Sequence, residues 1–146
     1  MAIYILSIKP YFAKQIYRGV KKYELRRKVG EIKPYSILII YESKPVKAIT
    51  GIVEVGEVKV LSSKTVEALI LSGKLEGCKA EDIEYVKGER DVLILEIMKK
   101  KCLKKPITLK ELRALIPRFN PPLSYLRIDN KPKYDKLIKV INEFLN

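Results

Sequence analysis

Lys21, Glu24 and Arg26 follow Gly19 in the pattern Gly-x-Lys-x-x-Glu-x-Arg. The set places an amine, a carboxylate and a guanidinium just after a residue that lets the backbone turn tightly. The two cations are anion binders, and the carboxylate accepts hydrogen bonds or pairs with either of them. Catalysis asks more of the same groups. A lysine becomes a nucleophile or base only when burial or neighbouring cations, here Lys22 and Arg26, lower its pKa, and Glu24 beside it opposes that shift. Histidine is absent, so acid–base work near neutral pH falls to Lys, Tyr, Ser or carboxylates. Glu54 and Glu57 are candidates for a second carboxylate but read as outward-facing strand residues. Cys78 and Cys102 are far apart and have no histidine partner, so neither a zinc site nor a disulfide framework is expected. No metal and no cofactor enter the reading.

Around this pattern Lys14, Arg18, Lys21, Lys22, Arg26, Arg27 and Lys28 are interleaved with Tyr11, Tyr17 and Tyr23. Lysine and arginine neutralise phosphates and aromatic faces stack on unpaired bases, which is how single-stranded RNA is commonly held. The plainer alternative keeps Tyr17 and Tyr23 in the core and leaves the charges as a solvated face. A second cluster, Lys99, Lys100, Lys101, Lys104 and Lys105 with Arg113 and Arg118, reads as a solvated strand end. The chain's net charge of +13 favours polyanions without choosing between nucleic acid and an acidic membrane surface. Residues 1–50 carry 11 basic and 3 acidic side chains, residues 51–100 carry 8 and 10, and residues 101–146 carry 11 and 4. If the two ends of the chain meet in space, they build one basic face. No apolar run approaches the roughly 20 residues of a membrane span, and no leader pattern opens the chain, so a cytoplasmic protein with no membrane partner is expected. Few glutamines, no tryptophan and abundant Lys, Glu and Ile fit a heat-adapted source.

The elements that must position these residues are legible in part. At 146 residues, one domain over 1–146 is the default. Residues 2–8 read as a strand, and Pro10 opens a helix carrying Phe12, Ala13, Ile16, Tyr17 and Val20 on its apolar side and closed by Gly19. Residues 23–27 read as a strand whose alternation puts Glu24 and Arg26 on one face. Residues 35–41 form a strand buried on both sides. In residues 48–61 the apolar phase changes from odd to even positions at Gly56-Glu57, the signature of a bulge in a bent, barrel-closing strand. Ser63 caps a helix to about Leu71, with Gly73 beyond it. Residues 74–90 are acidic and hold one short helix around Ile83. Residues 91–98 are a strand, and Thr108 to Glu111 is a capping box opening a helix stopped by Pro117. A turn around Pro121 and Pro122 precedes a short strand over 125–128. A C-terminal helix presents Tyr134, Leu137, Ile138, Ile141, Phe144 and Leu145 to the core. This order predicts an α+β fold, a small mixed β-barrel of five to six strands decorated by three to five helices.

Ser7-Ile8-Lys9-Pro10, followed by a helix and then Gly19-x-Lys21-x-x-Glu24-x-Arg26, resembles the hallmark of the ASCH family, a branch of the PUA-like superfamily, at all four hallmark positions. Tyr41 to Gly51 is similar to that family's third strand, turn and fourth strand, and Pro121-Pro122-Leu123-Ser124-Tyr125 resembles an element near the end of archaeal relatives. The resemblance spans residues 1–60 well and 104–128 loosely. It implies a PUA-like barrel with a cleft suited to RNA or a nucleotide-like ligand, lined by Lys21, Glu24 and Arg26 with Lys9 close by. The expected nucleic-acid contacts are therefore Lys9, Tyr11, Arg18, Lys21, Lys22, Glu24, Arg26, Arg27, Lys28, Ser124, Tyr125 and Arg127. Some ASCH relatives resemble hydrolases of RNA or acetylcytidine in which the motif lysine is assigned catalysis. Lys21 and Glu24 would be the catalytic pair here, although that branch commonly has threonine where this chain has Glu24. The first expectation is an RNA-binding domain, with a hydrolase and a DNA-binding or regulatory module as alternatives.

Overall fold

A computed structural model describes residues 1–145. The strands are β1 (Ile3–Ile8), β2 (Tyr23–Arg27), β3 (Ile37–Glu42), β4 (Ala48–Leu61), β5 (Val92–Thr108) and β6 (Tyr125–Arg127). The helices are α1 (Pro10–Tyr17), α2 (Ser63–Leu71), α3 (Ala80–Val86), α4 (Leu109–Leu115) and α5 (Asp135–Leu145). All six strands join one sheet in the order β2-β5-β4-β3-β1-β6; β1 and β3 are parallel and every other pair is antiparallel. The fold is the expected α+β class, a curled half-barrel with helices on its outside.

The curl comes from the two long strands. Val55 pairs with Ile97 but Val58 with Leu95, so β4 carries one extra residue at Gly56-Glu57, where the apolar phase slips. Val53, Val55 and Val58 consequently reach the same core despite their odd and even numbers. A Cβ at position 56 would stand 2.2 Å from the Glu96 carboxylate, so any larger residue there would have to displace the Glu96 and Met98 side chains. A second irregularity sets residues 103–106 of β5 opposite Thr50 alone, because Ile49 pairs with Ile107 and Gly51 with Cys102.

Three apolar cores follow from strand alternation. Leu6, Leu38, Ile40, Val53 and Leu95 fill the barrel interior with Ile16 of α1. Ile5, Ile39 and Ile49 point outward to α4 and α5, meeting Leu112, Leu137 and Ile141. Leu25 of β2 and Ile94 of β5 pack under Val66 and Ile70 of α2 and Val86 of α3.

Three local expectations change. β5 continues to Thr108 and does not stop at Met98; the lysines at 99–101 show no alternation, and pairing with β4 rather than burial keeps them in a strand. Ser62, not Ser63, is the N-cap of α2, its hydroxyl accepting the Thr65 N–H at 3.3 Å. α1 ends at Tyr17, which leaves Val20 exposed beyond its apolar side. None of the described helices is long and apolar enough to cross a membrane.

The loop between α2 and α3 lies against the backbone of Val20 and Lys21, and Gly77 makes that approach possible. Its φ is +86°, and a Cβ there would fall 2.0 Å from the Val20 carbonyl oxygen. Gly73 has a similar φ of +76° but open space around it. Gly73→Ala should therefore cost about 1 kcal/mol of backbone strain, and Gly77→Ala about 3 kcal/mol, since a collision adds to the strain. Equal midpoints for the two variants in urea unfolding would contradict this packing.

Candidate nucleic-acid interface

The turn after α1 decides where the charged residues go. Gly19, at φ +76°, closes the helix with its N–H on the Ile16 carbonyl and the Val20 N–H on that of Gln15, both at 3.0 Å. The chain then doubles back, Lys21 enters the protein and β2 begins. Lys21 is 1% exposed. Its Nζ donates to Asp82 Oδ1 of α3 and lies 3.9 Å from Glu24 Oε1. Alternation along β2 brings Arg26 beside Glu24, with Nη1 3.3 Å from Oε2. Arg26 Nη2 donates to Ser124 Oγ at 2.8 Å, and the other carboxylate oxygen of Asp82 accepts the Lys79 N–H at 2.8 Å. Asp82, Lys21, Glu24, Arg26 and Ser124 thus form one chain of alternating charge from α3 to the loop before β6.

Burial alone would depress the Lys21 pKa, but Glu24, Cys78 and Asp82 together outweigh it and hold the ammonium above its ordinary value. Lys21 is therefore charged at neutral pH, the opposite of what a lysine nucleophile or base requires. Burial also pushes the Cys78 thiol up to about 11, although Lys21 opposes the shift. The Phe12 ring stands 5.3 Å from the Lys21 ammonium and covers its third side.

In front of this array lies a cleft of about 660 Å³. Glu24 and Arg26 form its floor; Phe12, Tyr41 and Tyr85 contribute aromatic walls; Ser7, Pro121 and Pro122 close one side. Lys9, Lys44, Lys47 and Arg113 supply an exposed cationic rim from both ends of the sequence. The ends do meet, through the pairing of β1 with β6 and the Ser7 N–H to Ser124 carbonyl bond of 2.9 Å. Two further features mark the cleft. Arg26 Nε is buried with no hydrogen-bond partner. Lys47 holds a left-handed backbone at φ +49°, an unusual conformation for a residue with a side chain. The Tyr41 phenol is raised by burial, with Arg113 pulling against the shift.

Of the residues singled out from the sequence, Lys9, Glu24 and Arg26 line the cleft, Ser124 ties its floor, and Lys21 lies behind the wall. Tyr11 is exposed on α1 and donates to Glu81 at 2.9 Å. Arg18, Lys22 and Lys28 are exposed and do not line the cleft. Arg27 points the other way, over the Tyr85 ring at 5.6 Å and 3.4 Å from Glu89. Tyr125 is a clasp: its hydroxyl donates to the Gly30 carbonyl at 2.7 Å and accepts the N–H groups of Val29 and Gly30. Arg127 pairs with Asp129 at 2.9 Å, which holds that carboxyl well below the usual range. Asp82, Tyr41, Lys44, Lys47, Tyr85 and Arg113 complete the cleft and its support without having been singled out as contacts. Arg113 stood in the second basic cluster and Tyr41, Lys44 and Lys47 in the Tyr41–Gly51 segment, while Asp82 and Tyr85 left no signal of their own. Among the described residues no group of three or more Cys, Asp and Glu is placed to hold a metal ion.

The sequence profile of the ASCH domain matches residues 6–113. Among solved structures, ASCH from Zymomonas mobilis superposes with a TM-score of 0.78 at 22% identity, covering 94% of this chain and 94% of that one. Rpa0253 from Rhodopseudomonas palustris has a TM-score of 0.58 at 18% identity, covering 100% and 96%. The N-terminal domain of McrB from Thermococcus gammatolerans, in a structure bound to m5C DNA, has a TM-score of 0.55 at 12% identity, covering 97% and 99%. At these identities the likeness concerns the fold. No curated protein sequence matches the chain.

Lys21→Met would leave Asp82 and Glu24 buried without their shared cation and should cost about 3–5 kcal/mol. Unfolding free energies from urea titration check this: a Lys21→Met protein as stable as the parent would contradict the ionic array. The double variant Lys21→Met, Asp82→Leu should recover part of the loss.

Proposed function

The chain belongs to the ASCH domain family, and from the geometry of its cleft we propose that it binds single-stranded RNA, holding one nucleotide base against Glu24 and Arg26. The observation that carries this reading is the buried Glu24–Arg26 pair beneath a rim of four cations, with Arg26 Nε lacking an acceptor. A carboxylate and a guanidinium side by side match the mixed donor and acceptor edge of an unpaired base. Phe12, Tyr41 and Tyr85 offer ring surface for it, and Lys9, Lys44, Lys47 and Arg113 are placed for the flanking phosphates. The volume falls in the range of about 300–1,000 Å³ usual for small-ligand sites. Several exposed lysines and arginines outside the cleft, Arg18, Lys22 and Lys28 among them, would extend the electrostatic footprint.

Binding rather than hydrolysis is the reading supported by Lys21, whose ammonium is held charged between two carboxylates. DNA is the natural comparator, since a domain of this fold has been seen with methylated DNA.

Affinity for a short single-stranded RNA should fall steeply between about 50 and 200 mM salt. Replacing Lys47 and Arg113 by Gln removes two exposed rim charges and should lower the slope of log K against log salt by about 1.4, roughly 0.7 for each lost phosphate contact. Fluorescence anisotropy with RNA and DNA of one sequence measures both. A flat salt dependence, or a slope unchanged in the double variant, would contradict phosphate contacts at the rim.

A further inference from the structure

One apolar side chain at the cleft has no part in this scheme. Leu123 is 105% exposed and stands at the cleft's lip. Among the described residues it is the one fully exposed large hydrophobic side chain that borders the cleft; Tyr11, Val46 and Leu71, also exposed, do not. Single leucines on a surface are ordinary. The clamping of the backbone beneath this one is not. Ser7 Oγ donates to the Pro122 carbonyl at 2.6 Å, and the Ser7 N–H to the Ser124 carbonyl at 2.9 Å. Arg26 holds the Ser124 hydroxyl at 2.8 Å from the cleft floor. Pro121 and Pro122 further restrict the chain before Leu123. The residue is thus fixed on both sides, with its bare aliphatic side chain projecting into solvent beside a cleft roomy enough to receive a base.

A rigid apolar projection next to a cleft that can receive a base has the form of the wedges that enter between base steps and hold them apart. We propose that Leu123 is such a wedge. When one nucleotide turns its base into the cleft, Leu123 packs on the face of the adjacent base and fills the gap left in the stack. This rests on the reading of the cleft given above and narrows its ligand to a nucleotide inside a strand, with a stacked neighbour. A free mononucleotide satisfies the floor and one phosphate site but gives Leu123 nothing to cover. Turning a base out forfeits its stacking, and an aliphatic surface on the neighbour returns part of that contact.

The test compares a single-stranded RNA of about nine nucleotides, carrying 2-aminopurine at its centre, with the four ribonucleoside monophosphates, on the parent and on Leu123→Ala and Leu123→Met. The parent should prefer the oligomer and raise 2-aminopurine emission as stacking is broken. Leu123→Ala should cut that preference about fivefold and blunt the emission rise, while Leu123→Met keeps both. If the parent binds both ligands and Leu123→Ala keeps the full preference, the wedge is wrong and the cleft stands. If the parent binds neither ligand, the reading of the cleft fails and the wedge with it.

Discussion

The ammonium of Lys21 is shut off from bulk solvent and set against two carboxylates, Asp82 from α3 and Glu24 from β2. Taking such ions out of water costs several kcal/mol each, and their attraction offsets this only when the geometry is right on every side. That requirement organises the elements around it. The turn at Gly19 must aim Lys21 inward, the loop at Gly77 must close over its backbone, and α3 must present Asp82 at its first turn. Glu24, shared between Lys21 and Arg26, fixes the guanidinium, which in turn reaches Ser124. The array therefore links α3 to the edge strand β2, and β2 to the loop before β6.

This link matters because the barrel is not closed by backbone pairing. β2 and β6 are the two edges of the sheet, and between them run side-chain bonds: Arg26 to Ser124, and the Tyr125 hydroxyl to Val29 and Gly30. The cleft opens along this seam, so its floor is polar while the barrel interior beside it is apolar. A polar floor gives directional contacts, and the irregularities of β4 and β5 supply the curvature that brings Lys44 and Lys47 of the β3–β4 turn and Arg113 of α4 around it.

Much of the scaffold was legible because it rests on short-range rules. Alternation placed Glu24 and Arg26 together, the left-handed glycine ended α1, the Thr108–Glu111 box opened α4, and the phase slip in the valines marked the bulge of β4. The site was legible only where it lies on one segment. Asp82 sits in the stretch with the weakest periodicity, and its partner is 61 residues away. Tyr41, Lys47 and Arg113 come from separate elements that only the curled sheet brings together, so no spacing in the chain announces them. Lys21 read as a cation lining the cleft because composition does not tell a ligand-facing lysine from one with two buried partners. The lysine run in β5 hid a strand, since exposed charge looks the same in a paired strand as in a loop.

If Glu24 and Arg26 are where a base is received, Arg26 Nε is the atom that must report it, being buried with no partner until a ligand supplies one. The direct measurement follows the Arg26 Nε–H resonance in a ¹⁵N-edited NMR titration with single-stranded RNA, alongside the exposed Arg18 as a control. The account predicts a large, saturable shift at Arg26 with a small one at Arg18. A shift confined to exposed arginines, with Arg26 unmoved at saturation, would mean that RNA binds the charged surface and leaves the cleft empty.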